Sequence, residues 1–112
     1  NLGHTLLAER WLKDGRASDE TVRDILEDRA ISDYLLGIYA NEVIPGFESH
    51  GLGAEALAYV ETTLARFRNP YLKHRLSDIA GNHAEKIQRR FVGFMDWCPG
   101  IAMQELKRIA EG

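Results

Sequence analysis

The sequence predicts an all-α fold, a single bundle of six or seven helices. Three observations carry this. Apolar residues recur at helical spacing along almost the whole chain. No stretch alternates apolar and polar residues for long enough to make a strand. Turn-forming pairs (Asp14-Gly15, Pro45-Gly46, Asn69-Pro70 and Pro99-Gly100) cut the chain into short helical pieces. Short connections of this kind favour antiparallel neighbours.

The first helix carries Leu6, Leu7, Trp11 and Leu12 at helical spacing and is closed by Asp14-Gly15. Ser18 is a good N-cap for the second, with Asp19 and Glu20 in the first turn, where the helix dipole favours acids. Val22, Ile25 and Leu26 are its apolar stripe. A longer helix is expected over residues 31–44, through Ile31, Leu35, Ile38, Tyr39, Glu42 and Val43, with Pro45-Gly46 ending or bending it. Residues 47–53 read as a loop. The next helix spans residues 54–67, with Leu57, Val60, Leu64 and Phe67 on one face. Asn69 can cap and Pro70 can take the first position of a short helix through Leu72, Leu76 and Ile79, stopped by Gly81. Asn82 can cap a helix through Ile87, Phe91, Phe94 and Met95, and Pro99-Gly100 breaks the chain again. A last helix covers residues 102–110.

A chain of 112 residues, 45% of them hydrophobic, fits one domain with one core. At this length, folding buries roughly two-thirds of the unfolded surface. No apolar run approaches the ~18 residues of a transmembrane helix, so no membrane partner is expected. The N-terminus has neither a basic region nor an apolar core of the signal-peptide kind. Cys98 is the single cysteine, which excludes an internal disulfide and favours a reducing, cytoplasmic setting. It has no paired base nearby to make it a nucleophile.

The net charge of −3 is unevenly spread. Residues 1–65 carry twelve acids and five bases. Residues 66–90 hold Arg66, Arg68, Lys73, Arg75, Lys86, Arg89 and Arg90 against Asp78 and Glu85. Such a basic segment is either a solvated helix face or a place where an anion binds. Nucleic acid is disfavoured, because the acidic remainder would repel a polyanion.

One motif is set aside at once. Residues 51–56, GLGAEA, match the dinucleotide fingerprint G-x-G-x-x-A, but no buried strand precedes them and no βαβ unit surrounds them. They read as a loop feeding a helix. No metal site is expected either, since no two of His4, His50, His74 and His83 stand four residues apart on one helix face. The opening NLGH and the segment RFRNPYLKHRLSDIAGN remain. Asn1 and His4 are either a capping residue and a surface histidine or a pair on one helix face. An Asn amide can donate to an oxyanion, and a His can hold or polarise a hydroxyl or carbonyl. Lys73 and His74 follow the Asn69-Pro70 cap within one turn. A cation there opposes the helix dipole unless an anion sits nearby.

NLGHT, followed some sixty residues later by RFRNPYLKHRLSDIA, resembles the C-terminal domain of the polyol and hexonate dehydrogenases. That family includes mannitol 2-dehydrogenase, mannitol-1-phosphate 5-dehydrogenase, fructuronate reductase and tagaturonate reductase. The resemblance covers about residues 1–90. The Arg-Phe-x-Asn-Pro-Tyr-x-Lys-His run is most similar to tagaturonate reductase, and Asn-x-Gly-His is also similar to the mannitol-1-phosphate branch.

The resemblance implies an N-terminal Rossmann-type domain, absent from this chain, that binds NAD or NADP. The helical C-terminal domain then completes the active site. The family signature Lys-x4-Asn-x2-His places its Asn on Asn1 and its His on His4. Its lysine, the general acid/base, would precede Asn1 and lie outside this chain, so the chain starts inside the catalytic motif at a domain boundary. By the same resemblance Asn1 makes an oxyanion contact, and His4 orients substrate and lysine. Lys73 and His74 line the substrate pocket, with Asn69 and Lys86 as neighbours. Residues 1–112 alone would be inactive with NADH. The basic balance of residues 66–90 independently favours an anionic sugar substrate, a sugar acid or sugar phosphate, over neutral mannitol. The competing expectation, from another class, is a stand-alone helical protein-interaction module.

Overall fold

A computed structural model describes residues 2–69 and 74–112. Among these residues the chain forms seven helical rods and no strand. We number them α1 (Leu2–Asp14), α2 (Val22–Leu26), α3, α4 (Gly53–Phe67), α5 (Leu76–Ile79), α6 and α7 (Gln104–Glu111). Rod α3 runs from Arg29–Ile38 through a π-helical turn, Tyr39–Val43, into Ile44–Glu48. Rod α6 is built likewise, His83–Ile87, the π turn Gln88–Val92 and then Gly93–Trp97. The expected all-α bundle is what forms.

Every rod contributes to one core. Leu6 and Leu7 of α1, Ile25 of α2, Leu35 of α3, Leu76 of α5, Phe91 of α6 and Leu106 of α7 are essentially inaccessible to solvent. On α4 the buried line is Ala56, Val60, Thr63 and Phe67. Leu57, expected on that face, is 52% exposed. No described helix is long and apolar enough to cross a membrane.

Gly15 ends α1 with φ +59, a left-handed conformation that glycine adopts without strain. The cap of α2 is Thr21 rather than Ser18. Thr21 Oγ1 accepts the Asp24 amide at 3.2 Å and Asp24 Oδ2 accepts the Thr21 amide at 3.1 Å, a reciprocal capping box. A tertiary contact holds the chain extended just before it. The Val22 amide donates to the His74 carbonyl (2.8 Å) and the Leu76 amide to the Glu20 carbonyl (2.9 Å), framing an isolated bridge between Thr21 and Arg75. Arg16 steadies this segment through Glu20, at 2.6 and 2.9 Å, and Asp28, at 3.1 Å.

Pro45-Gly46 does not end α3. The π turn lies just ahead of it, where the Ile44 amide reaches back to the Tyr39 carbonyl. This wider turn eases the crowding a proline imposes on the preceding carbonyls. Gly46 has a packing role instead. A β-carbon there would stand 2.8 Å from both Met103 Cε and Phe94 Cζ, so any larger residue would push these side chains of α6 and the entry to α7 aside. Asn82 precedes α6 as expected, but its side chain makes no cap. It takes the left-handed conformation, φ 57, which asparagine tolerates better than most residues. Helix α7 starts at Gln104, because buried Glu42 accepts the amides of Glu105 (3.2 Å) and Leu106 (2.9 Å) and so fixes its first turn. The start expected at Pro70 and the residue Leu72 lie outside the described residues.

Candidate functional site

The bundle leaves a cleft of about 460 Å³ where α1, α4, the segment leading into α5, and α6 meet. His4 comes from the first turn of α1. Helix α4 presents Tyr59, Thr62, Thr63, Arg66 and Phe67. These positions recur every three or four residues, so they form one stripe along the helix. His74 enters from the segment pinned to residues 20–22, and Lys86 and Arg90 come from α6. Val22 and Ile79 complete the wall.

Local sequence explains how His4 reaches this position. Gly3 is buried, and a β-carbon there would run into the Tyr39 hydroxyl, with the Phe67 ring 3.4 Å away. Glycine therefore allows α1 to lie close against α3 and α4. That approach sets the His4 ring edge-on to Phe67, with centroids 4.6 Å apart, and 5.8 Å from the His74 ring. His4 Nδ1 is buried and has no hydrogen-bond partner among the described residues. Burial, then the positive charge of the chain's N-terminus and lesser contributions from His74, Arg90 and Arg66, pushes the imidazole down from 6.5 to about 4. His4 is thus neutral at neutral pH and keeps one N–H donor and one acceptor nitrogen.

The described lining of the cleft is cationic. Arg66, Lys86 and Arg90 line it together with two histidines, and none of its described lining residues is an Asp or Glu. Lys86 Nζ donates to the Ile79 carbonyl at 2.6 Å, which anchors the lysine across the turn between α5 and α6. Arg90 Nη1 donates to Thr5 Oγ1 at 2.9 Å. Just outside, His83 Nε2 pairs with Glu9 Oε1 at 2.9 Å and ties α6 to α1. A concave, water-accessible site with one sign of charge concentrates anions.

Of the six residues singled out from sequence, the structure brings His4, His74 and Lys86 together in this cleft. Asn69 lies just past the end of α4 and is not part of the lining. Asn1 and Lys73 fall outside the described residues. Arg66 and Arg90 had been counted only as charges in a basic segment. Thr62 and Thr63 gave no signal, because a threonine pair inside a helix looks like ordinary surface composition.

Residues 51–56 do not form a dinucleotide-binding turn. The G-x-G-x-x-A stretch follows a turn, with Gly51 at φ +74, and opens α4 with no strand before it. Its glycines therefore lack the strand-to-helix geometry that cradles a pyrophosphate. Among the described residues, no three His, Cys, Asp or Glu side chains converge as a metal site.

Comparison with known proteins agrees with this geometry. Residues 1–106 match the mannitol dehydrogenase C-terminal domain family. The match runs past the residues 1–90 that the motifs cover and takes in α6 and the start of α7. Among curated proteins, the chain is 34% identical over 71 residues to an altronate oxidoreductase of Bacillus subtilis, covering 63% of this chain and 14% of that protein. It is 33% identical over 73 residues to an altronate oxidoreductase of Halalkalibacterium halodurans, covering 65% and 14%. It is 30% identical over 73 residues to one of Yersinia enterocolitica, covering 65% and 15%. The aligned segment is thus about one seventh of these relatives' length. No solved structure matches. With its family match spanning most of the bundle and both motif segments, the chain belongs to the mannitol dehydrogenase C-terminal domain family.

Proposed function

We propose that this chain is the substrate-binding, catalysis-completing domain of an NAD(P)-dependent oxidoreductase. The enzyme interconverts a secondary alcohol and a ketone on a sugar acid, altronate and tagaturonate or mannonate and fructuronate, or on a polyol phosphate. The nicotinamide nucleotide is held by a separate Rossmann-type domain. The observation that carries this reading is the convergence of neutral His4 with Arg66, His74, Lys86 and Arg90 in one cleft whose described lining holds no carboxylate.

The chemistry follows from charge. Reducing a ketone puts negative charge on its oxygen, and fixed donors and cations around that oxygen lower the barrier. A neutral imidazole can donate to the developing alkoxide from one nitrogen and accept from a neighbouring hydroxyl or ammonium with the other. His4 is suited to this because it is held by packing on Phe67 and owes its buried nitrogen to no other described side chain. Asn1, three residues earlier in the same motif, supplies the second oxyanion donor. Lys73, His74 and Lys86 bound the substrate side, and the acidic group of the sugar lies toward the cations.

The test is NADH oxidation by the full-length protein with tagaturonate, fructuronate and fructose 6-phosphate in parallel. Turnover of a uronate is expected, and His4→Ala should lower kcat by about a hundredfold or more. Turnover of the sugar phosphate alone would move the substrate to that branch. No turnover with any of the three would overturn the reading and favour a helical interaction module.

A further inference from the structure

We propose that Arg66 is the specificity residue for the substrate's carboxylate, and that the Thr62–Thr63–Arg66 stripe of α4 reads the acid end of the sugar. This rests on the functional reading above and goes beyond it by naming the anchor.

Among the described residues the cleft has three cations, Arg66, Lys86 and Arg90, and they are not equivalent. Lys86 spends a donor on the Ile79 carbonyl at 2.6 Å. Arg90 is tied to Thr5 Oγ1 at 2.9 Å and thereby to α1. Arg66 makes no ion pair and no side-chain hydrogen bond among the described residues. It projects from the last turn of α4, opposite α6, and its guanidinium is close enough to His4 to depress the imidazole. A cation in that last turn gains from the helix dipole wherever it points. The dipole does not explain why it lines a cleft shared with two other cations and no acid.

A guanidinium with its fork uncommitted matches a carboxylate by two parallel N–H···O bonds, whereas an ammonium makes point contacts. One helical turn before Arg66, Thr62 and Thr63 line the same wall. They can donate to or accept from the sugar hydroxyls next to a carboxylate that Arg66 holds. A neutral polyol would leave Arg66 facing no anion, so this arrangement favours acids over neutral sugars.

The experiment uses the full-length protein and steady-state NADH oxidation with tagaturonate. Arg66→Ala should raise KM about ten- to a hundredfold, the range for losing a charge-assisted hydrogen-bonded contact, while kcat changes less than about threefold. Arg66→Lys should recover only part of the loss, because the fork is gone. Arg66 is exposed, so the thermal melt of both variants should match the parent, and this separates binding from misfolding. An unchanged KM, or a loss confined to kcat, overturns the assignment while leaving the functional reading intact. A parent enzyme that turns over no uronate removes both.

Discussion

Two titratable side chains in this small bundle, one buried and one half-buried, have opposite fates. Glu42, in the π turn of α3, is only 5% exposed, and each of its carboxylate oxygens accepts a backbone amide of α7. Its charge sits where the helix dipole welcomes it. His4, on α1, is buried at Nδ1 with no partner among the described residues, and it faces cations that resist its protonation. A buried polar atom left unpaired costs about 1–3 kcal/mol. The contrast separates a carboxylate that holds the fold from a histidine whose Nδ1, like His83 Nδ1 and Arg10 Nε, has no hydrogen-bond partner among the described residues.

The largest expected effect lies on the satisfied side. Glu42→Ala removes two charge-assisted bonds and leaves two helix amides without their acceptor. It should cost about 3 kcal/mol of stability, read by urea denaturation at neutral pH. Glu42→Gln keeps one acceptor oxygen and should lose about half as much. If Glu42→Ala loses less than about 1 kcal/mol, the carboxylate is not holding α7 and the comparison fails.

Next in size is the contact that seats His4. Gly3→Ala forces a β-carbon against the Tyr39 hydroxyl and toward Phe67. Overpacking of this kind should cost about 2 kcal/mol. Because the nearest obstacle is a single oxygen, adding Tyr39→Phe should return about half of that, a coupling that a double-mutant cycle measures directly. Equal destabilisation with and without Tyr39→Phe would mean that the hydroxyl is not the obstacle and that Gly3 serves another purpose.

These particulars show what could be read from the chain beforehand. The helical period of residues such as Leu6, Leu7, Ile31 and Leu35 is a local property repeated many times, so fold class and rod number were legible. Boundaries set by tertiary contacts were not. Thr21 displaces Ser18 as a cap because residues 20–22 are committed to the segment at His74. Pro45 is absorbed by a π turn, and Leu57 faces solvent because Thr63 belongs to the buried line instead. At the site, His4 and His74 stood in recognisable motifs, while Lys86, beyond both, was expected only as a neighbour. Arg66 and Arg90 were visible only as net charge, since nothing local says that two arginines 24 positions apart line one cleft.

The smallest expected effect is the most specific to His4. Its folded-state pKa, about 4, lies below the unfolded 6.5, so the unfolded chain takes up this proton first as pH falls. Stability must then decline between pH 6.5 and 4, where the unfolded state binds more protons than the folded one. Above pH 7 the imidazole is neutral in both states and contributes nothing to the slope. His4→Asn keeps a polar side chain on the same turn but cannot titrate. The difference in unfolding free energy between parent and variant should therefore be flat above pH 7 and shift in the variant's favour below 6.5. The cleft is open to water, which screens the charges that hold the pKa down. The total shift should accordingly be on the order of 1 kcal/mol rather than the full value of the pKa displacement. Parallel curves from pH 8 to 4 would mean that His4 accepts its proton as easily in the bundle as in water. The unmatched nitrogen would then carry no stored cost, and the contrast with Glu42 would reduce to one of position.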